Sequence, residues 1–356
     1  MRNRPYNNYI DNIGAWKGPE LASSGTLYFD LKPYHLTTID KALSKANRIG
    51  VPIDEIDPST FDLRDIGDDI KFIYETLIRG AGIIILRGLP VDSYSLPDLE
   101  KLYWGLGSHF GLAVSQSVMG DRIGHVTDIS GKDPNERAYR NSLAVPPHTD
   151  LADIVGMLSI RKAAKGGLST YSSVLAIHNE IFREHPEYLP ILYRGYRMHR
   201  FGEQSPGEPS VTPDPIPVLS NQAGYISARI VPEYIDMAEV ELGEPLPQIQ
   251  RAALDYFLEL AERPDLCLSV MLEPGEISLI NNYFILHSRT AFYDHLNSNQ
   301  RRLLLRLWLV SNERRPVPPD FPRVEDSGIL RQTDRKSSYF RGTTARKANK
   351  GRYGED

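Results

Sequence analysis

Residues 275–290 read GEISLINNYFILHSRT, and after a polar loop residues 301–310 read RRLLLRLWLV. Gly275 supplies a turn before a run of apolar and β-branched residues at 277–286, which predicts a buried strand leading to His287. The second stretch predicts a returning strand, in which successive side chains point to opposite faces. One face of that strand is aliphatic, and the other face carries Arg302, Leu304, Arg306 and Trp308.

Arg302 and Arg306 therefore point into the same space. A strand with one wet face would present both arginines to solvent. However, Leu304 and Trp308 interleave with them, which indicates a closed pocket, and a guanidinium buried in a pocket needs an anion as its partner. The planar fork of arginine binds a carboxylate through two parallel hydrogen bonds. The sequence thus predicts an anion site that suits a dicarboxylate.

A second cluster, PPHTD at residues 146–150, places an imidazole and a carboxylate two positions apart. In an extended segment such residues share a face, so His148 and Asp150 can converge on one ion. The alternative is a hydrogen-bonded imidazole with no ligand role. A third ligand has to come from elsewhere in the chain.

Two similar pairs lack this geometry. His178 and Glu180 lie in a stretch with helical spacing, where positions two apart diverge by about 200° around the axis. His185 and Glu187 are separated by a proline at the end of a helix. The sequence therefore favours the His148 pair as the chelating one.

Composition indicates an ordinary globular protein. The chain has 356 residues, 41% of them hydrophobic, with a net charge of -5. This balance argues against nucleic acid and anionic lipid as partners. The sequence contains no run of eighteen apolar residues and therefore predicts no membrane span. The single cysteine, Cys267, lies in an apolar alternating run and is interpreted as structural. The sequence predicts a cytoplasmic protein that acts on a small molecule, and it leaves a homo-oligomer open.

Regular elements concentrate in the middle of the chain. The sequence predicts one domain at 31–313, flanked by an N-terminal arm at 1–30 and a C-terminal tail at 314–356. Two proline-rich insertions, at about 130–147 and 204–217, are too long for ordinary connections and are interpreted as lids. Helical spacing occurs at 69–77, 96–106, 174–182 and 246–261, and strand-like runs occur at 81–86, 155–160, 268–272 and 277–286.

An ordered set of residues resembles the TauD/TfdA family of iron(II)- and 2-oxoglutarate-dependent dioxygenases: His148 and Asp150, the sequence GGLS at 166–169, His287, and Arg302 fifteen positions later (302 minus 287). The resemblance implies a mainly β fold with flanking helices, built on the double-stranded β-helix or jelly roll of cupin-like proteins. It also implies Fe(II), 2-oxoglutarate and dioxygen as the cofactor and cosubstrates.

The resemblance assigns roles to individual residues. His148, Asp150 and His287 would form the two-histidine, one-carboxylate triad that leaves metal positions open. Arg302 would pair with the far carboxylate of 2-oxoglutarate, and Ser169 would donate a hydrogen bond to it. Ser169 stands where the family usually has threonine, and it keeps the hydroxyl.

The substrate site is less defined by sequence. Arg306 matches a family arginine that reaches the inner carboxylate of the oxoacid or an anionic substrate, so the expected substrate is a small carboxylate such as an amino acid. Asn141, Arg140 and Arg229 are further substrate candidates because they lie near the first lid or the pocket strands. The expected outcome is hydroxylation, desaturation or ring closure, with release of succinate and carbon dioxide.

Departures from the family pattern narrow these expectations. Pro147 replaces the tryptophan, and Ala144 the asparagine, that shape the sulfonate pocket of taurine enzymes, which argues against taurine. Asp150 occupies the position that halogenases of this group leave empty for chloride, which argues against halogenation. Two alternatives remain: a zinc-type hydrolase using the same triad, which would not need Arg302 or Ser169, and a non-catalytic cupin-like binding protein.

Overall fold

A computed structural model describes residues 3–129, 138–205, 207–319 and 321–332. The α-helices of this part are α1 (Gly18–Ser23), α2 (Pro33–Ile49), α3 (Gly67–Ile78), α4 (Leu96–Ser108), α5 (Val174–Glu184), α6 (Leu189–Arg194), α7 (Pro232–Leu242) and α8 (Gln248–Glu262). The strands are β1 (Tyr28–Asp30), β2 (Ile83–Arg87), β3 (Gly111–Ala113), β4 (Ile123–Val126), β5 (Val145–His148), β6 (Ile154–Arg161), β7 (Lys165–Gly166), β8 (Ser169–Ser173), β9 (Leu219–Gln222), β10 (Tyr225–Ala228), β11 (Cys267–Val270), β12 (Ile277–Asn281), β13 (Ile285–Arg289), β14 (Phe292–Tyr293) and β15 (Leu303–Ser311).

The larger sheet has seven strands in the order β1-β2-β12-β6-β15-β3, and β4 also pairs with β15. Strands β1 and β2 run parallel, whereas the other neighbours run antiparallel. The aliphatic face of β15, with Leu305 and Leu307, packs in one core cluster with residues of α2, α3 and α4. Leu304 and Trp308 belong to a second cluster on the other side. The alternation predicted for this strand is therefore present.

The smaller sheet has four strands in the order β11-β8-β13-β5 and faces the larger one. A hydrogen bond from the Tyr171 hydroxyl of β8 to the Ser278 hydroxyl of β12 spans the two sheets at 2.9 Å. Helices α5 and α8 contact the smaller sheet. The result is a jelly-roll core between flanking helices, as the sequence predicted.

The run at 277–286 was predicted as one strand, and this prediction is wrong. The structure divides it into β12 and β13, which belong to different sheets. Between them, the backbone N–H of Asn281 donates to Gly82, and the side chain of Asn282 donates to the carbonyls of Asp150 and Ala152. These hydrogen bonds satisfy backbone polar groups where the buried chain crosses from one sheet to the other. An apolar sequence pattern alone does not reveal such a crossing.

The predicted N-terminal arm packs along much of its described length. Trp16 is buried and its indole N–H donates to the Ala81 carbonyl at 2.8 Å, while β1 extends the larger sheet. At the other end, the backbone N–H of Val324 donates to Leu151 at 2.9 Å. Trp16, β1 and the Val324 backbone thus attach these mostly polar segments to the core. Residues 130–137 of the first predicted lid and residues 333–356 of the predicted tail lie outside the described residues, and the division into arm, domain and tail stays a prediction.

Within the described ranges, the structure contains no helix with the length and apolar character that crossing a membrane requires.

Candidate metal centre and cosubstrate pocket

A cavity of about 570 Å³ lies between the two sheets. Its walls include residues of β5, β8, β13 and β15, together with loop residues before α7. The second predicted lid also contributes, through Gln204, Glu208, Thr212 and Ile216. The cavity therefore collects side chains that are remote in sequence.

Three potential metal ligands meet in this cavity. One ligand atom from each of His148, Asp150 and His287 lies within 4.8 Å of the others. His287 of β13 stands directly opposite His148 of β5 in the strand register, and the two ring centroids are 4.2 Å apart. Asp150 places its two carboxylate oxygens 3.9 Å from Nε2 of His148 and 3.5 Å from Nε2 of His287. The pairing of β13 with β5 thus brings His287 next to His148 and Asp150, as the third ligand that the local sequence motif lacked.

The two imidazoles are suited to a cation. Nδ1 of His148 lies 2.9 Å from the Pro146 carbonyl, which leaves Nε2 directed at the cluster. Burial, with a contribution from His287, lowers the pKa of His148 to about 3, so its ring is neutral, as a metal ligand requires. Both ring nitrogens of His287 are buried without a hydrogen-bond partner among the described residues. A buried polar atom left in this way is costly, and a bound metal would satisfy it.

Asp150 is held in its ionised form and in a fixed orientation. Burial alone would raise the pKa of its carboxyl, but Arg306 and the two histidines together hold that pKa well below its usual range. The indole N–H of Trp308 donates to Oδ2 at 2.8 Å. The backbone N–H of Asp150 donates to the side-chain oxygen of Asn282 at 2.9 Å. Such outer partners orient a ligating carboxylate, and sequence reasoning assigned this role to neither residue.

Trp308→Phe is expected to lower the affinity for Fe(II) by about 10- to 100-fold, because Asp150 loses its indole donor while the aromatic packing is kept. Anaerobic titration with Fe(II) measures this. Trp104→Phe is a matched control, since the indole of Trp104 donates to the Ile56 carbonyl, in the core on the other side of the larger sheet. Equal iron affinities in wild type and Trp308→Phe would contradict a ligand-orienting role.

Arg302 is a buried cation in the same cavity. The residue is 4% exposed, and its Nη1 has no hydrogen-bond partner among the described residues. Burial lowers its pKa to about 10, which leaves it charged at neutral pH. Gly167, at a φ of 77°, brings the backbone close, since a Cβ there would lie 3.1 Å from Nε of Arg302. Ser169, which carries a hydroxyl, also lines the cavity. This end of the cavity therefore offers a guanidinium and a hydroxyl to an anion.

A second buried arginine, Arg289, was missed by sequence reasoning. It lines the cavity, and its guanidinium lies 5.0 Å from the Phe292 ring, which Arg302 approaches at 4.9 Å. Burial, followed by repulsion from Arg302, lowers the pKa of Arg289 to about 9. Its Nη2 donates to the carbonyls of Asn141 and Leu143 at 2.9 and 2.5 Å. Alternation along β13 could have revealed it, because it stands two positions after His287.

Arg306 lies on β15 beside the candidate metal ligand Asp150. Its Nη1 is 3.5 Å from Oδ2 of Asp150, and its Nε donates to the side chain of Gln116 at 2.7 Å. Its guanidinium lies 4.6 Å from the Tyr139 ring. Nη2 is buried without a hydrogen-bond partner within the described residues. One edge of this guanidinium therefore stays available to an anion.

The other substrate candidates are placed differently. Arg229 lines the cavity, but its N–H groups are used by the Pro322 carbonyl, at 2.7 and 3.0 Å, and by the Thr149 hydroxyl, at 3.3 Å. It therefore ties the C-terminal segment to the residue between two candidate ligands. Asn141 and Arg140 are not among the cavity-lining residues of the described chain. The side-chain oxygen of Asn141 instead accepts a hydrogen bond from the backbone N–H of Leu143.

A jelly roll that combines two histidines and an aspartate with buried arginines defines the class of iron(II)- and 2-oxoglutarate-dependent oxygenases. The chain belongs to the family described as taurine catabolism dioxygenase TauD, TfdA family, whose model matches residues 45–308. The predicted family, fold, reaction class, and dependence on iron and 2-oxoglutarate are thereby confirmed.

Two curated relatives match most of the chain. FR-33289 synthase of Streptomyces rubellomurinus is 29% identical over 87% of this chain and 92% of its own length. The taurine hydroxylase-like protein SAT17 of Stachybotrys chartarum is 26% identical over 84% of this chain and 79% of its own length. The resemblance thus extends beyond the motif residues.

Solved structures show the same fold. Asparagine oxygenase in complex with Fe(II), 2S,3S-3-hydroxyasparagine and succinate has a TM-score of 0.62 at 16% identity, covering 80% of this chain and 93% of that one. The non-heme iron oxygenase OrfP in complex with Fe and alpha-ketoglutaric acid has a TM-score of 0.58 at 15% identity, covering 81% and 94%.

Proposed function

We propose that His148, Asp150 and His287 hold Fe(II), and that Arg302 and Ser169 hold the far carboxylate of 2-oxoglutarate. The observation that carries this assignment is a triad with ligand atoms within 4.8 Å of one another, in the same cavity as a buried guanidinium whose Nη1 has no hydrogen-bond partner among the described residues. When bound, iron with 2-oxoglutarate and dioxygen supplies the oxidation of an unactivated C–H bond, with release of succinate and carbon dioxide.

The substrate is proposed to be a small molecule with an anionic group that binds Arg306. The cavity volume of about 570 Å³ suits a small molecule beside the oxoacid. Two of the solved structures are complexes with hydroxylated amino acids: asparagine oxygenase with 2S,3S-3-hydroxyasparagine, and an OrfP mutant with (3S)-hydroxy-L-Arg. These support an amino acid or related acid as substrate, with hydroxylation, desaturation or ring closure as the outcome.

The chain contributes positioning and exclusion of water. Arg302 fixes one end of the oxoacid, Arg306 fixes the acid group of the substrate, and Trp308 keeps the Asp150 carboxylate in place. Apolar cavity walls such as Val155 and Leu304 keep water away from the C–H bond that is oxidised. The selectivity of the reaction then depends on how these groups orient the substrate.

Anaerobic addition of Fe(II) and 2-oxoglutarate to the protein is expected to produce the visible charge-transfer band of an iron–oxoacid complex. A screen of amino acids and small carboxylates for perturbation of that band would identify substrates, and admission of oxygen should release succinate only when iron and oxoacid are both present. Activity with zinc and no oxoacid would instead favour a hydrolase. Tight oxoacid binding without turnover would favour a non-catalytic binding protein.

A further inference from the structure

Glu233 is a cavity residue with no part in the proposed metal or oxoacid sites. It lies in the first turn of α7 and lines the cavity. The chain just before this helix is bonded to the segment between two candidate ligands: the N–H of Thr149 donates to the Ile230 carbonyl at 2.9 Å, and the N–H of Ile230 donates to the Thr149 hydroxyl at 3.0 Å. The start of α7 is thereby fixed next to the metal centre.

Among the described residues, the carboxyl of Glu233 has no countercharge. Within the described ranges it has neither an ion pair nor a side-chain hydrogen bond, and its largest perturbation is burial, followed by repulsion from Asp236, both of which raise its pKa. By contrast, the cavity residue Glu208 is paired with Arg200 at 2.9 Å and accepts the Ser205 N–H at 2.9 Å. A partly buried carboxylate without a partner is less well stabilised than one in water, and an incoming cation would stabilise it.

Two charges of opposite sign therefore reach the cavity from different elements. Arg306 projects from β15 with an N–H that has no partner among the described residues, and Glu233 projects from α7. They do not neutralise each other, because the ion pair of Arg306 is with Asp150. A ligand that carries both an anionic and a cationic group would satisfy both residues at once.

We propose that Glu233 is a specificity-determining residue that binds a protonated amine of the substrate while Arg306 binds its anionic group. This inference rests on the proposed function and narrows the substrate class to small zwitterions, namely amino carboxylates, aminophosphonates or aminosulfonates. Molecules with the same anion and an uncharged group in place of the ammonium should bind poorly, because they leave the partly buried carboxylate of Glu233 unpaired.

The test uses matched pairs of probes on the protein loaded anaerobically with Fe(II) and 2-oxoglutarate. Methyl replaces the ammonium in three pairs, β-alanine with butyrate, aminoethylphosphonate with propylphosphonate, and taurine with propanesulfonate, and hydrogen replaces it in the fourth, L-asparagine with succinamate. Perturbation of the iron–oxoacid band gives a dissociation constant for each probe. For at least one pair the wild type is expected to bind the amine-bearing member at least about tenfold more tightly, and the pair that responds identifies the anion.

In Glu233→Gln this preference is expected to fall to within about twofold, because the amide keeps the shape but not the charge. Glu208→Gln, a cavity glutamate already paired with Arg200, should retain the preference. The band recorded before any probe is added reports iron and oxoacid binding alone, so it separates a failure of the proposed function from a failure of the Glu233 assignment. The assignment is overturned if no amine-bearing probe perturbs the band, or if Glu233→Gln keeps the wild-type preference.

Discussion

His148→Ala is expected to abolish iron-dependent turnover of 2-oxoglutarate. The substitution removes one of three groups whose ligand atoms lie within 4.8 Å of one another, and it leaves Asp150 and His287 to hold the ion alone. Loss of an outer partner of a metal site costs about 10- to 100-fold, so loss of a direct ligand should exceed about a hundredfold. Succinate release with saturating Fe(II) and oxoacid measures the effect.

His185→Ala is the control for this substitution. His185 belongs to a His-x-Glu pair that resembles the metal motif, but its Nδ1 lies 3.0 Å from the carboxylate of its own neighbour, Glu187, and its ring stacks on Tyr188. Turnover in His185→Ala should match the wild type. Appreciable iron-dependent turnover in folded His148→Ala would show that the triad assignment is wrong.

Arg302→Ala is expected to weaken binding of 2-oxoglutarate by about 2 to 5 kcal/mol, or roughly 30- to 4,000-fold in Kd, because a buried carboxylate would lose its paired charge. Arg302→Lys should give an intermediate loss, since lysine keeps the charge but not the fork geometry. Titration of the iron–oxoacid band with 2-oxoglutarate measures both variants.

The neighbouring Arg301 provides a matched control. It precedes Arg302 directly and is not among the residues that line the cavity, and its carbonyl accepts the N–H of Arg161. Arg301→Ala should therefore leave the oxoacid affinity close to that of the wild type. An unchanged affinity in Arg302→Ala would place the oxoacid elsewhere, and Arg289 would become the next residue to test.

Local alternation made the main parts of the site predictable. Along β15 and the residue just before it, a period of two places Arg302, Arg306 and Trp308 on one face, and all three line the cavity. The same period put His148 and Asp150 on one side of an extended segment. These predictions needed only the geometry of a single strand, which a few consecutive residues determine.

Other features depend on which segments meet. An apolar run at 277–286 does not specify that its two halves join different sheets, since a buried strand and a buried crossing have the same composition. The partners of Asp150 come from Asn282 and Trp308, more than a hundred residues away. The absence of a countercharge at Glu233 within the described residues is likewise invisible in a helical pattern.

The amino-acid sequence by itself determined the family, the jelly-roll class and the residue types that can bind iron and an oxoacid, because these follow from short motifs and their order. Only the tertiary structure decided that His287 pairs opposite His148, that Arg289 stands beside Arg302, and that Glu233 faces the cavity. The physical reason is that strand register and burial are fixed by contacts between distant segments, and the energy of those contacts is not encoded in any one segment.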